Sequence, residues 1–172
     1  KPCRHAAPHH RSPTIIAKQL IDILGRERVL ADLHVSSKKR LIEKLSSLLS
    51  DGESEQERPI FDSLIAREHL GSTGLGGGIA IPHGRCKGNF EPRAAFVRLK
   101  EAVEFDAPDA EPVDLILALI VPEHFTDLHL SLLAQVAELF SHPEVLADLR
   151  LAAQSGELFQ KLKLHTEQWV HA

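Results

Sequence analysis

A glycine-rich stretch in the middle of the chain constrains the fold more than any other feature. Residues 71–84 read GSTGLGGGIAIPHG and hold six of the ten glycines. Glycine adds no side-chain packing and costs backbone entropy, so this density indicates sharp turns, positive φ angles or close approach to a ligand. Successive N–H groups in such a loop can form an anion-binding concavity. Because a proline-fixed histidine, His83, lies at its end, the stretch suggests phosphate chemistry on imidazole.

The composition is that of one globular domain. The 172 residues are enough to bury a core, with 43% hydrophobic and 26% charged residues. A net charge of −4 argues against a nucleic-acid partner bound through a basic face. No apolar run approaches the roughly 20 residues that a membrane-spanning helix needs. We therefore expect no nucleic-acid partner and no membrane span.

The cysteines and the N-terminal residues bear on compartment and domain boundaries. Cys3 and Cys86 make no disulfide framework and no secretory signal is visible, which favours a cytoplasmic protein. Residues 1–13, KPCRHAAPHHRSP, lack periodicity and predict a disordered tail, with residues 14–172 as the folded domain. Metal binding by the cysteine and histidines of this tail is an alternative to a plain flexible terminus.

Apolar periodicity predicts several helices and strands. The run VDLILALIV at 113–121 is typical of a strand covered on both faces at the centre of an α/β sheet. We expect Ser36 or Ser37 to cap the first long helix, Pro59 to open the second after a solvated connection, and Thr126 or Asp127 to cap the third. The remaining predicted segments are an edge strand or extended lead-in at 28–33, strands at 79–81 and 94–99, helices at 38–50, 59–70 and 128–140, a helix from 143, and a last helix near 157–164.

The glycine stretch matches neither common nucleotide-binding motif. A Walker A loop requires Gly-Lys-Ser or Gly-Lys-Thr at its end, and none occurs here. The dinucleotide pattern Gly-x-Gly-x-x-Gly also fails, because its last position is Ile79 when counted from Gly74 and Ile81 when counted from Gly76. We therefore expect no nucleotide cofactor.

The remaining hypothesis is that His83 itself carries phosphate. At an ordinary pKa near 6.5 most of an imidazole is neutral at pH 7 and can act as a nucleophile. Arg67, near the end of the helix that leads into the glycine stretch, is a suitable cation. His129 lies in the first turn of the helix after the central strand, where the helix dipole favours an anion. Further candidate donors to phosphate are the hydroxyls of Ser72 and Thr73 and the backbone around Gly84.

Each of these residues also has a simpler interpretation. His83 could be a packed or solvated histidine, His129 a hydrogen-bonded core residue, and Arg67 a charge at a helix C-terminus. Cys86 could be a thiol nucleophile, although only its proximity to His83 suggests so. Metal binding by His124 and His129 is disfavoured, because residues five apart lie about 140° around a helix and do not share a face.

Four segments carry a resemblance to a known family: Arg67-Glu68, GSTGLGGGIAIPHG, VDLILALIVP and HLSLLAQVA. Together they resemble the fructose/mannitol-type enzyme IIA domains of the bacterial phosphoenolpyruvate-dependent phosphotransferase system, most closely the stand-alone nitrogen-regulatory members. The resemblance implies a single α/β (α+β) domain with a central mixed sheet flanked by helices on both faces. It also implies that His83 accepts phosphate at Nε2 from a phosphorylated histidine phosphocarrier protein, with His129 and Arg67 as further active-site residues. One departure is Gly77, where the family often has asparagine.

Three functions remain open from the sequence. The first is a regulatory phosphorelay protein of the nitrogen and potassium metabolism type. Its phosphorylation state would determine which target proteins it binds. The second is a sugar-specific IIA component that passes phosphate to a IIB domain for fructose or mannitol transport. The third is a protein-binding module without phosphotransfer. We expect no metal or nucleotide cofactor for phosphoryl transfer to His83, because donor and acceptor are both protein histidines.

Overall fold

The computed structural model describes residues 19–88 and 90–170, and the tail predicted at residues 1–13 lies outside them. Within the described ranges the chain forms an α/β domain. Its helices are α1 (Leu20–Ile23), α2 (Lys38–Leu49), α3 (Ser54–His69), α4 (Thr126–Phe140), α5 (Pro143–Leu151) and α6 (Ser155–Trp169). Its strands are β1 (Leu24–Leu33), β2 (Gly74–Gly76), β3 (Ile79–Ala80), β4 (His83–Cys86), β5 (Arg93–Val103) and β6 (Val113–Pro122).

Strand β6 is the centre of a mixed sheet. Every residue of β6 except Asp114 is buried. It pairs antiparallel with β5 on one side and parallel with β3 and β4 on the other. The sheet is completed by β1, parallel to β5 at one edge, and by β2, antiparallel to β3. The predicted central strand, the edge strand near 28–33 and the mixed sheet are confirmed.

Helices cover both faces of the sheet because alternate side chains of β6 point in opposite directions. One set packs with α1, α4, α5 and α6, and comprises Leu115, Leu117, Leu119 and Val121. The other set packs with α2 and α3, and comprises Ile116, Ala118 and Ile120. Each fully buried leucine or isoleucine contributes about 1.5–3 kcal/mol of transfer free energy. The apolar run therefore specifies a strand between two helical layers.

The starts of the helices follow the sequence prediction at α2 but not at α3. Ser37 caps α2 as predicted, since its hydroxyl accepts the Arg40 N–H at 3.2 Å. Helix α3 begins at Ser54, so Pro59 lies inside the helix and the predicted start there is wrong. The exposed connection predicted before Pro59 ends at residue 53. The residues before Pro59 are good helix formers, and acidic side chains such as Glu55 favour a first turn. These preferences outweigh the one backbone donor that proline lacks.

The predicted cap of α4 is also wrong. The residue at the N-cap position is Phe125, and no side chain caps the helix there. Thr126 is already helical, and its hydroxyl accepts a hydrogen bond from Arg85 Nη1 at 3.1 Å. This contact ties the first turn of α4 to β4, and it removes the hydroxyl from the capping role that the sequence suggested.

Candidate functional site

One open cavity gathers the main residues that the sequence suggested for phosphate chemistry. It has a volume of about 550 Å³ and brings together His83, Arg67 and His129. A larger groove of about 630 Å³ lies beside α2, but Arg40 and Glu43 in its lining pair with each other at 2.9 Å. The smaller cavity is the candidate site. Its lining comprises Ser63, Ala66, Arg67, Leu70, His83, Gly84, Arg85, Glu123, Thr126, His129, Leu130 and Leu133.

The backbone around His83 fixes its imidazole. His83 pairs with Leu119 of β6, and the preceding carbonyl of Pro82 accepts the Leu119 N–H at 3.0 Å. The side chain is buried, and its Nδ1 lies 2.7 Å from the carbonyl oxygen of Ile81. Because a carbonyl oxygen can only accept, Nδ1 carries the proton in this contact. The neutral ring therefore keeps its lone pair on Nε2.

His129 lies against His83 on the other side of the cavity. The centroids of the two rings are 5.2 Å apart, with their planes tilted by 53°. Helix α4 follows β6 after a short turn, so the same strand that holds His83 delivers His129 to it. His129 Nε2 is buried and has no hydrogen-bond partner within the described residues. A buried polar atom without a partner is uncommon and marks a place where a ligand atom can bind.

Two arginines supply positive charge to the cavity. Arg67 lies in the last turn of α3, half-exposed, with Nη1 donating to the Gly71 carbonyl at 2.8 Å. Arg85, which the sequence did not single out, reaches Thr126 from β4 and lines the same cavity. A signal for it existed, since side chains two apart on a strand share a face and Arg85 is two residues after His83.

Burial and these charges keep both imidazoles neutral. Burial is the main cause that lowers the pKa of His83, and the charge of Arg67 lowers it further. The bond to Ile81 and the carboxylate of Glu68 act in the opposite direction on that pKa. Burial also lowers the pKa of His129 to about 4, with further contributions from charge on His83 and Arg85. At pH 7 each ring is therefore available as a neutral donor or nucleophile.

The structure does not bring Ser72 and Thr73 to this cavity. The Ser72 hydroxyl donates to the Phe105 carbonyl at 2.8 Å and accepts the Gly74 N–H at 3.1 Å. The Thr73 hydroxyl donates to the carboxylate of Glu68. Both hydroxyls hold the glycine stretch in place. Although Ser72 and Thr73 are close to His83 in the sequence, neither residue lines the cavity that contains its imidazole.

The glycine stretch is a hairpin at the sheet edge and does not form the anion-binding concavity that we expected. Gly76, Gly77 and Gly78 have φ values of 87°, 66° and 82° and form its turn. The Gly77 N–H is bound by the carboxylate of Asp109 at 2.9 Å. Asparagine tolerates a left-handed backbone better than most residues, so the φ of Gly77 is compatible with the asparagine that the family resemblance led us to expect at this position.

Gly84 lines the cavity for a packing reason. A Cβ atom at this position would lie 2.2 Å from Ser63 Oγ and 3.3 Å from the Ser63 backbone carbon. Any larger residue would require the Ser63 hydroxyl to move and β4 to shift away from α3 by a few tenths of an ångström, so glycine allows the closest packing of the two elements. This close approach accompanies the place of Gly84 in the lining of the cavity, next to His83 in the chain.

The alternative uses of nearby residues receive no support from the geometry. Burial raises the pKa of the Cys86 thiol, which disfavours a thiolate nucleophile. His124 packs edge-on against Phe125, with ring centroids 4.4 Å apart. In the part of the chain that the structure describes, no three histidine, cysteine or acidic residues cluster as a metal site. None of the helices in that part is long and apolar enough to cross a membrane.

Comparison with known proteins identifies the family. The family model for the phosphoenolpyruvate-dependent sugar phosphotransferase system, EIIA 2, matches residues 22–164. The chain belongs to this family. It is 43% identical over 143 residues to the nitrogen regulatory protein of Pseudomonas aeruginosa. The matched region covers 83% of this chain and 93% of that relative. The resemblance found in the sequence is thereby confirmed.

Two solved structures share the fold of this chain. The crystal structure of nitrogen regulatory protein IIA-Ntr from Neisseria meningitidis matches with a TM-score of 0.77 and 43% identity, over 83% of this chain and 97% of that chain. The crystal structure of IIA mannitol from Escherichia coli matches with a TM-score of 0.68 at 20% identity, over 80% and 97% respectively. The second likeness shows the fold alone.

The lowered pKa of His129 predicts a specific acid sensitivity. An unfolded histidine binds a proton near pH 6.5, whereas folded His129 does so only near pH 4. Stability contributed by this difference is therefore complete above about pH 6.5 and is lost as the pH falls toward 4. We expect His129→Gln to flatten the pH dependence of the free energy of unfolding in this window, as measured by urea denaturation.

The matched control is His69→Gln, which changes an exposed histidine on α3 and should leave the pH dependence unchanged. An NMR titration of the imidazoles provides the direct measurement. If His129 titrated near pH 6.5, or if His129→Gln kept the wild-type pH dependence, the electrostatic account of the cavity would be contradicted.

Proposed function

We propose that this protein is a regulatory phosphorelay component that accepts a phosphoryl group on Nε2 of His83. The observation that carries the proposal is the bond between His83 Nδ1 and the Ile81 carbonyl at 2.7 Å. It engages one ring nitrogen and leaves the other with its lone pair. Burial favours the neutral ring, which is the nucleophilic form.

The reaction moves a phosphoryl group between two imidazoles. The Nε2 lone pair of His83 forms a bond to phosphorus while the N–P bond of the donor phosphohistidine breaks and its electron pair returns to the donor ring. Arg67 balances the negative charge on the phosphoryl oxygens, and His129 donates a hydrogen bond through its Nε2 atom, which has no partner among residues 19–88 and 90–170. Each hydrogen bond to a charged group is worth about 1.5–3 kcal/mol. This chemistry requires no metal or nucleotide.

The donor is a phosphorylated histidine phosphocarrier protein that docks over the cavity. The rim combines apolar and charged groups, because Leu70 is 85% exposed and Leu130 is 61% exposed beside Arg67 and Arg85. Glu123 adds one carboxylate to the two arginines. Single exposed leucines are common, but two at the edge of one cavity form an apolar contact surface. Such a rim suits a protein that presents phosphate from an apolar surface.

The phosphorylation state of His83 then changes which target proteins bind. The 43% identity to a protein named as a nitrogen regulatory protein supports this regulatory role. In the alternative role, His83 passes phosphate to a sugar-specific IIB domain in fructose or mannitol transport. The likeness to IIA mannitol concerns the fold and lends that alternative no separate support.

The first test is phosphorylation by the upstream proteins. Incubation with phosphoenolpyruvate, enzyme I and the phosphocarrier should give an acid-labile phosphate on the wild type and none on His83→Ala. Arg67→Gln should slow transfer roughly tenfold to hundredfold, because it removes a charged hydrogen bond. His124→Ala, a histidine outside the cavity, should transfer at the wild-type rate.

Three outcomes would count against the proposal. Phosphate that persists on His83→Ala would exclude His83 as the acceptor. A wild type that takes up no phosphate would favour the binding module without phosphotransfer. Rapid transfer from the phosphorylated protein to a fructose or mannitol IIB domain would favour the transport alternative.

The second test concerns donor docking. Leu130→Glu places a carboxylate where the donor phosphate approaches, so we expect the KM for the phosphocarrier to rise about tenfold, which corresponds to about 1.4 kcal/mol. Leu164→Glu is the matched control, because Leu164 is 63% exposed and lies on α6, away from the cavity. Equal KM values for the two variants would contradict docking over this rim.

A further inference from the structure

A buried ion pair and its hydrogen bonds join α2, α3 and the glycine stretch. Glu68 is 7% exposed on α3, and its Oε2 atom pairs with Lys38 Nζ at 3.0 Å. The same carboxylate binds Thr73 twice, accepting its hydroxyl on Oε1 and its backbone N–H on Oε2 at 3.3 Å. The carboxylate therefore holds one residue of the glycine stretch by both its side chain and its backbone.

This network continues by hydrogen bonds to the imidazole. The carbonyl of Thr73, the residue held by Glu68, accepts the backbone N–H of Ile81 at 3.1 Å. The carbonyl of Ile81 in turn lies 2.7 Å from His83 Nδ1. The groups from Glu68 to His83 are thus joined through Thr73 and Ile81, and each contact uses a different donor and acceptor.

A purely structural explanation accounts for only part of this arrangement. A buried carboxylate is costly unless it is paired, and Lys38 and Thr73 satisfy it. If Glu68 only had to be satisfied as a buried charge, any neighbouring donor would meet that requirement. Glu68 instead binds the residue whose carbonyl fixes Ile81, and its charge also acts on His83 in the direction opposite to Arg67. Arg67 and Glu68, which are neighbours on α3, thus have opposite effects on the pKa of His83.

We propose that Glu68 is a positioning residue for His83. Through Thr73 and Ile81 it holds the carbonyl that keeps the proton on Nδ1 and leaves Nε2 unprotonated. The consequence for phosphoryl transfer rests on the proposed function, whereas the effect on the His83 tautomer does not. The two can therefore be tested separately.

The test measures the tautomer and the transfer rate in the full chain. In protein labelled with 15N-histidine, the imidazole nitrogen shifts should show Nδ1–H on wild-type His83. Glu68→Gln removes the charged acceptor, so we expect the Nε2–H population to rise severalfold. We also expect kcat for transfer from the phosphocarrier to fall about tenfold with KM unchanged, because docking is unaffected. Glu55→Gln, which removes an exposed charge from the same helix, should change neither value.

A second pair of variants covers the case in which Glu68→Gln does not fold. Thr73→Val removes the hydroxyl that Glu68 accepts and should shift the tautomer in the same direction. Thr73→Ser keeps the hydroxyl and should restore the wild-type tautomer and rate. A wild-type tautomer in Glu68→Gln or Thr73→Val would overturn the proposal, even if the rate fell. If no variant or wild type were phosphorylated, the proposed function would fail while the tautomer populations still decided the role of Glu68.

Discussion

The site depends on one hydrogen bond, from Nδ1 of His83 to the carbonyl of Ile81 at 2.7 Å. Histidine has two ring nitrogens, and a neutral ring protonates only one of them. By holding the proton on Nδ1, the Ile81 carbonyl decides which atom is nucleophilic. Pro82 stands between the two residues and restricts the backbone, so the donor and acceptor stay in register.

The packing of strand β6 positions the elements that hold the site residues. Its apolar residues face helices on both sides, and this burial fixes the strand against which β4 pairs. The chain then leaves β6 into α4, which places His129 beside His83 with ring centroids 5.2 Å apart. Arg67 reaches the cavity from the opposite helical layer. The site is therefore assembled where both layers meet the end of one buried strand.

Patterns within single elements were predictable from the sequence, and contacts between elements were not. The apolar run of β6, the Ser37 cap and the convergence of His83 with Arg67 and His129 all follow from local patterns or from the family resemblance. Sequence proximity predicts the hydroxyl of Thr73 beside the phosphate, but Glu68, on a different element, binds it instead. The preference of proline for the first turn of a helix predicts a start at Pro59, but the helix formers before it extend α3 back to Ser54.

The most direct test of the central claim is the position of the phosphoryl group on the ring. Phosphorylation of 15N-histidine-labelled protein by the phosphocarrier, followed by 31P and 15N NMR at alkaline pH, distinguishes the two phosphohistidine isomers. Coupling of phosphorus to Nε2 of His83, with Nδ1 still protonated, is the result that the account predicts. Phosphate on Nδ1 of His83, or on His129, would contradict it.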